Sequence, residues 1–220
     1  MIWAGVDVGG TRKGFHAVVI DERAIVSGPR SLATPTDTAS WLASFEPMLT
    51  AVDGPIAPAP DGWGWRPCER ELAQAVCGIR WTPSQDALER SPGYYGWVLN
   101  GLALYDLLAA EKLQAVECFP TASFTRWAGK RPSGTSRAVW TRDALRNLGL
   151  DRLPARTNQD ERDAIAAAVT ARLHAGGLTE MFGEIVVPLA GPDELRPSRP
   201  ISGRTSALPG RALVDVGVSP

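Results

Sequence analysis

Two short apolar runs, residues 1–6 and 48–52, each end directly on an aspartate, Asp7 and Asp53. Runs of this length with glycine soon after them indicate buried strands rather than helices. A carboxylate at the end of a buried strand is costly unless something compensates its charge, and a divalent cation is the commonest compensation. The chain must therefore fold so that both strand ends meet a compensating group, which suggests a metal-dependent phosphoryl-transfer site.

The order of the predicted elements indicates an α/β fold. Strands over 1–6, 15–20 and 24–31 are joined by short turns, which predicts an antiparallel meander. A helix over 36–45 then leads to the fourth strand, as a crossover connection requires. Further helices are predicted over 69–76, 97–112, 141–148 and 160–174, a fifth strand over 114–118, and a late edge strand over 185–187. These elements predict a mixed five-stranded sheet with helices on both faces over residues 1–188, and a Pro-, Gly- and Arg-rich C-terminal tail over 189–220.

The overall charge excludes a generally basic nucleic-acid-binding protein. The 220 residues carry a net charge of -1, so any contact with nucleic acid has to come from a local basic patch. No apolar run approaches the roughly 18 residues of a membrane span, and no secretory signal opens the sequence. Three cysteines without a CxxC pair favour reduced thiols and a cytoplasmic location.

Two further aspartates, Asp160 and Asp163, stand three residues apart on the last predicted helix and point to the same side of it. Small residues dominate that helix, so it can approach the sheet closely enough to bring Asp163 toward Asp7. Clustered carboxylates repel one another, and two Mg²⁺ or Mn²⁺ ions would relieve the repulsion while activating a water. Taken singly, Asp7 could instead cap a turn, and Asp160 could instead be a helix N-cap.

A family resemblance is carried by five segments: GVDVGGTRKGFHAVVID, AVDGPIAP, RPCEREL with GIR, ECFPTASFTRWAGK and DERDAIAAAVTA. In this order they resemble the predicted RNase H-like nucleases known as domain of unknown function 429, over residues 1 to about 188. The resemblance implies an RNase H-like fold related to resolvases of the RuvC type. It also implies that Asp7, Asp53 and Asp163 are metal ligands, with Asp160 or Glu117 supplying a fourth catalytic carboxylate.

Basic residues near these motifs are candidates for binding the substrate, a DNA or an RNA. Arg12 and Lys13 leave the first strand at the same end as Asp7, and Lys130 follows a predicted turn. Arg66 and Arg70 flank a Pro-rich loop with Trp63 and Trp65, and aromatic residues interleaved with arginine can stack on unpaired bases. Solvated surface is the alternative for Lys130, and packing is the alternative for the tryptophans. His16, inside an apolar strand, is expected to be a core histidine.

Three functions remain open at this point. The first is an RNase H-like, two-metal nuclease. The second is a non-catalytic RNase H-like binding or assembly module. The third is an ATP-binding phosphotransferase, because residues 7–11 read D-x-G-G-T as in sugar kinases and actin, although that fold needs two such domains.

Overall fold

The first three strands form the antiparallel half of one mixed sheet, because only short turns join them. The computed structural model describes residues 1–189. Its strands are β1 (Trp3–Val8), β2 (Phe15–Ile20), β3 (Ile25–Leu32), β4 (Leu49–Asp53), β5 (Ala115–Cys118), β6 (Thr179–Phe182) and β7 (Ile185–Pro188). Its helices are α1 (Pro35–Ala43), α2 (Pro67–Ala75), α3 (Gln85–Arg90), α4 (Gly96–Ala110), α5 (Pro120–Ala128), α6 (Arg137–Asn147) and α7 (Gln159–Ala175).

Strand β1 lies at the junction between the two halves of the sheet, whose strand order is β3-β2-β1-β4-β5-β7-β6. It pairs antiparallel with β2 and parallel with β4. In the parallel pairing Asp7 is directly opposite Asp53. The carboxyl ends of β1 and β4 therefore meet at one edge of the sheet, as the sequence predicts.

The predicted mixed α/β sheet with helices on both faces is confirmed, but the predicted number of five strands is wrong. Within residues 1–189 the sheet has seven strands. Strand β6 has only four residues, all at least partly exposed, so it gives no clear apolar pattern. Because β6 forms the edge, β7 lies inside the sheet between β5 and β6, where all four of its residues are buried.

Helices α3 and α5 are absent from the sequence-based prediction. The six residues of α3 are too few to show a helical period. Helix α5 begins at Pro120, directly after β5, and proline is favoured at the first position of a helix. Pro120 therefore both follows the end of a strand and starts a helix.

Two apolar layers cover the sheet. On one face α5, α6 and α7 pack against side chains such as Trp3, Val18 and Ala51. On the other face α1 and α4 pack against Val6, Phe15 and Val52 among others. Within the described residues, none of the helices is both long and apolar enough to cross a membrane. Except for Leu189, the predicted tail over 189–220 lies outside the described residues.

Helix α7 runs unusually close to β1 at Gly5. A methyl group at Gly5 would lie 2.0 Å from the backbone nitrogen of Ala168 and 2.2 Å from the carbonyl oxygen of Ala164. Only glycine at this strand position permits the contact, because any side chain there would meet backbone atoms of α7. Gly5 thus allows the helix to lie this close to the sheet.

Replacing Gly5 by alanine should therefore destabilise the protein by about 3 kcal/mol, the upper end of the usual cost of overpacking, since the added methyl group meets backbone atoms that cannot move independently. Urea denaturation would measure the change. Gly10→Ala is the control, because nothing lies within 4 Å of a methyl group at Gly10. Equal stability of the two variants would contradict the close contact.

Candidate metal centre

Three aspartates from three different elements meet at the edge of the sheet. Asp7 is the penultimate residue of β1, Asp53 ends β4, and Asp163 lies in the first half of α7. Each offers a carboxylate oxygen, and these oxygens all lie within 4.8 Å of one another. The contact between Gly5 and Ala164 explains the approach, because Ala164 is adjacent to Asp163 and Gly5 is two residues before Asp7.

The electrostatics of this centre favour protons or cations on the carboxylates. Burial, with the nearby charges of Asp163 and Asp160, raises the pKa of Asp7 to about 8. Burial and the neighbouring Asp7 raise the pKa of Asp53 well above its usual range. Burial also raises the pKa of Asp163 to about 6, although Arg137 opposes this shift. Three carboxylates are therefore held together in a place where their negative charges are not fully compensated.

The cations near the centre pair with the helix carboxylates rather than with the strand carboxylates. Arg137 of α6 donates to Asp163 at 3.0 Å, and Gln159 donates to Asp163 at 2.8 Å. Lys13 forms an ion pair with Asp160 at 3.0 Å. Among residues 1–189, neither Asp7 nor Asp53 has an ion-pair partner. The strand pair is thus the part of the centre that lacks compensation.

Asp160 and His16 form an outer part of the centre. His16 is opposite Asp7 in the antiparallel pairing of β1 and β2, and only half-buried. Ligand atoms of Asp7, His16 and Asp160 also lie within 4.8 Å of one another. The expectation of a core histidine is therefore wrong. Asp160 is not the N-cap of α7, since Asn158 holds that position and accepts from the backbone of Glu161.

Sequence reasoning missed His16, Arg137 and Gln159 as neighbours of the centre. The register of the first hairpin would have placed His16 opposite Asp7, if the turn had been centred on residues 11 and 12. No comparable signal exists for Arg137, which reaches Asp163 only because α6 packs beside α7.

Glu117, predicted as a possible catalytic carboxylate, does not join the cluster. In the parallel pairing of β4 and β5, Cys118 is opposite Asp53 and Glu117 is opposite Val52. Because alternate residues of a strand point to opposite faces, Glu117 lies on the face away from α7. There it accepts from Nη1 of Arg66 at 2.8 Å and from the backbone nitrogen of Ile56 at 2.9 Å.

Arg66, predicted to bind substrate, is buried and lines a cavity that also contains Asp53. Its guanidinium is paired with Glu117 and with Glu69, and its exposed fraction is 4%. Glu69 in turn accepts from the backbone nitrogen of Thr82 at 3.0 Å. This network joins the loop after Asp53, helix α2 and the segment before α3.

The other predicted basic residues are exposed. Arg12 lies in the turn after β1, and Lys13 beside it pairs with Asp160. Arg70 lies over the ring of Trp65 at 5.4 Å. Lys130 lines a cavity of about 530 Å³ together with Arg131 and Arg137.

Two cavities lie next to the three aspartates. The basic cavity contains Arg137, which binds Asp163. A second cavity of about 370 Å³ contains Asp53 itself, with Lys13, Arg80 and Trp97 in its wall. Asp53 is therefore accessible to a ligand larger than a metal ion.

The family model described as "Protein of unknown function (DUF429)" matches residues 5–185. No curated protein matches the chain. Among solved structures, the chain is similar to a Thermus thermophilus RuvC structure, with 18% identity, 80% of this chain and 96% of that chain covered, and a TM-score of 0.47. It is also similar to T. thermophilus RuvC in complex with Holliday junction substrate, with 19% identity, the same coverage and a TM-score of 0.47. The family match spans nearly the range over which the sequence motifs resemble that family.

In metal-free protein, raising the pH from about 4 to about 8 should reduce the stability that the cluster contributes. Folded Asp7 keeps its proton up to about pH 8, whereas an unfolded aspartate loses it near pH ~4. The unfolded chain thus binds fewer protons in this window, so stability falls as the pH rises. Thermal melting of wild type and Asp7→Asn should show the variant becoming relatively more stable toward high pH.

The matched control is Asp106→Asn, which removes an exposed aspartate of α4. Mg²⁺ or Mn²⁺ should raise the melting temperature of wild type most at high pH, where protons no longer compete for the carboxylates. A wild type and an Asp7→Asn variant with parallel pH profiles would contradict the raised pKa of Asp7.

Glu117→Ala should destabilise the protein by about 3–5 kcal/mol, because it leaves the buried charge of Arg66 without its main partner. Asp143→Ala, which removes an exposed ion pair with Arg142, should cost less than about 1 kcal/mol. Chemical denaturation would measure both changes. A small effect of Glu117→Ala would show that the buried network does not hold the loop after Asp53.

Proposed function

The chain belongs to the family described as protein of unknown function (DUF429), and we propose that it is a divalent-metal-dependent nuclease with an RNase H-like site. The observation that carries the proposal is the convergence of Asp7, Asp53 and Asp163 within 4.8 Å at an accessible sheet edge. Asp7 and Asp53 lie there without an ion-pair partner in residues 1–189.

The donor set fits a hard divalent cation. All three inner ligands are carboxylate oxygens, which Mg²⁺ and Mn²⁺ prefer, and no thiolate is needed. The raised pKa of Asp7 and Asp53 reflects charge that a cation would compensate. We assign Asp7, Asp53 and Asp163 as metal ligands, and Asp160 as a fourth catalytic carboxylate.

The same protein compensates its other buried acids internally, which strengthens this assignment. Glu117 and Glu69 are both buried, and both are satisfied by Arg66 and by backbone amides. A purely structural role for Asp7 and Asp53 would predict a similar arrangement around them. Its absence within residues 1–189 favours a ligand that arrives from outside the chain.

The residues of the site have separable tasks in this proposal. When bound, two metal ions would supply an activated water and would stabilise the leaving oxygen of a phosphodiester. Asp7 and Asp53 hold the sheet side of the centre, and Asp163 holds the helix side. Gln159 fixes the orientation of Asp163 through its hydrogen bond at 2.8 Å. Lys13 and Arg137 stand next to the carboxylates, where they can contact phosphate oxygens.

Although the net charge is near neutral, a local basic surface lies beside the site and can bind nucleic acid. Lys130, Arg131 and Arg137 line one cavity, and Arg137 connects that cavity to Asp163. Cations grouped in this way bind phosphates through charge and release of counterions. A nucleic acid, either DNA or RNA, is therefore the proposed substrate class.

Asp163→Asn should reduce metal-dependent cleavage of nucleic acid by at least about a hundredfold, since a neutral amide binds the metal weakly and leaves the developing charge unsupported. A panel of single-stranded, duplex, branched and hybrid DNA and RNA, each with Mg²⁺ and with Mn²⁺, would measure this. Asp106→Asn should cleave like wild type.

Folded wild-type protein that cleaves no member of the panel would overturn the nuclease and favour a non-catalytic binding module. Cleavage that Asp163→Asn leaves unchanged would overturn the assignment of the site.

A further inference from the structure

Three tryptophans form an exposed group beside the proposed nuclease site. The rings of Trp63 and Trp65 have centroids 4.8 Å apart, and those of Trp65 and Trp81 lie 6.4 Å apart. Trp63 and Trp81 are 46% and 45% exposed. Large aromatic side chains grouped on a surface mark an interaction site more often than an isolated exposed one does. We name these three residues the tryptophan platform.

A small cleft opens within the platform. It has a volume of about 250 Å³ and is lined by Trp65, Trp81 and Arg70. Its walls are two indole rings, inclined at 54° to each other, and a guanidinium group. Such walls offer stacking surfaces and positive charge, with no acceptor groups on the side chains. They suit a planar ligand that carries negative charge.

Two arginines extend this combination of rings and charge. Arg70 lies over Trp65 at 5.4 Å. Arg80, next to Trp81 in the chain, lies over Trp97 at 5.1 Å and over Tyr94 at 5.6 Å. Within residues 1–189 neither arginine forms an ion pair with a carboxylate. Their charges are therefore available to a ligand.

The positive charge of the arginines decides which of the usual ligands of aromatic surfaces the platform can bind. A cage of tryptophans can bind a quaternary ammonium group, but the guanidinium of Arg70, 5.4 Å from the ring of Trp65, repels such a cation. An apolar peptide would have to cover the guanidinium of Arg70 without compensating it. A nucleotide strand meets both requirements, because its bases stack on the rings and its phosphates pair with the arginines.

The platform is continuous with the site. Arg80 and Thr82, on either side of Trp81, line the cavity of about 370 Å³ that also contains Asp53. Arg66, next to Trp65, is held by Glu117 of β5, the strand beside β4. A strand bound at the carboxylates can therefore continue onto the platform.

The buried network preorganises the platform. Glu69 accepts from the backbone nitrogens of Arg66 at 2.9 Å and of Thr82 at 3.0 Å. Each of these residues adjoins a platform tryptophan, so one buried carboxylate fixes Trp65 and Trp81 relative to each other. A surface that is ordered before binding loses less entropy when the ligand arrives.

We infer that the tryptophan platform binds unpaired bases of a single-stranded nucleic acid, with Arg70 and Arg80 contacting the adjacent phosphates. The inference rests on the proposed function for its ligand class, and it makes the substrate one that has a single-stranded segment. The platform is a positioning surface, since it does not touch the reacting atoms.

Base-dependent binding tests the inference directly. Fluorescence anisotropy with labelled oligo-dT and with an abasic oligonucleotide of the same length, both in EDTA, compares ligands of equal charge. We expect oligo-dT to bind at least about tenfold more tightly, because the stacking of two or more bases on aromatic side chains together contributes that much. Equal affinity of the two ligands would overturn the inference.

Variants then locate the binding surface. Trp81→Ala should weaken oligo-dT binding by about tenfold and leave abasic binding unchanged, while Trp81→Phe, which keeps an aromatic face, should lose less. Trp41→Ala is a matched control. The guanidinium of Arg30 lies 6.0 Å from the ring of Trp41, but Trp41 belongs to α1 and not to the platform. It should bind like wild type. Equal losses in the Trp81→Ala and Trp41→Ala variants would overturn the inference.

Cleavage assays separate this inference from the proposed function. The protein could bind oligo-dT through its bases, lose this binding in Trp81→Ala, and cleave no substrate. That result would overturn the proposed nuclease activity but support base binding by the platform. The protein could instead cleave single strands with a metal ion, and Trp81→Ala could leave this cleavage unchanged. That result would overturn base binding by the platform but support the proposed nuclease activity. Binding of neither oligonucleotide by wild type would overturn the platform and leave a protein partner as the occupant of this surface.

Discussion

The close contact between α7 and β1 at Gly5 determines the geometry on which the proposed site depends. Gly5 has no side chain to separate the two elements, and backbone atoms of Ala164 and Ala168 lie directly against it. Because Asp163 is adjacent to Ala164, the same packing brings its carboxylate to Asp7 and Asp53. The apolar core thus holds three carboxyl groups together, and a cation bound there would compensate the negative charge that they carry when ionised.

The protein treats its buried acids in two different ways. On the face away from α7, Glu117 and Glu69 share Arg66 and accept from backbone amides, so their charges are satisfied within the chain. On the face toward α7, Asp7 and Asp53 have no such partner within the described residues. Burial without a partner raises the pKa of both groups. This contrast supports the proposal that the aspartates bind a ligand, because the charges of the two glutamates are already compensated within the chain.

Much of the fold follows from local sequence patterns, and the errors have physical causes. The apolar runs before Asp7 and Asp53 locate β1 and β4, and the alanines of α7 indicate its close approach. The side to which Glu117 points depends on the register of β4 against β5, which a short strand such as Ala115–Cys118 does not reveal. Strand β6 has no apolar pattern to recognise, and Arg137 reaches the site through tertiary packing alone. Patterns along the chain thus identify the carboxylates, whereas their partners depend on packing between elements.

The most direct test of the metal centre is the anomalous difference map of a crystal grown with Mn²⁺. A peak is expected close to the carboxylates of Asp7 and Asp53, at about the 2.1 Å at which Mg²⁺ binds oxygen, with Asp163 as a further ligand. The corresponding crystal of Asp163→Asn should show a weaker peak or none. A Mn²⁺ ion bound elsewhere on the protein, with these three aspartates free of metal, would contradict the central claim.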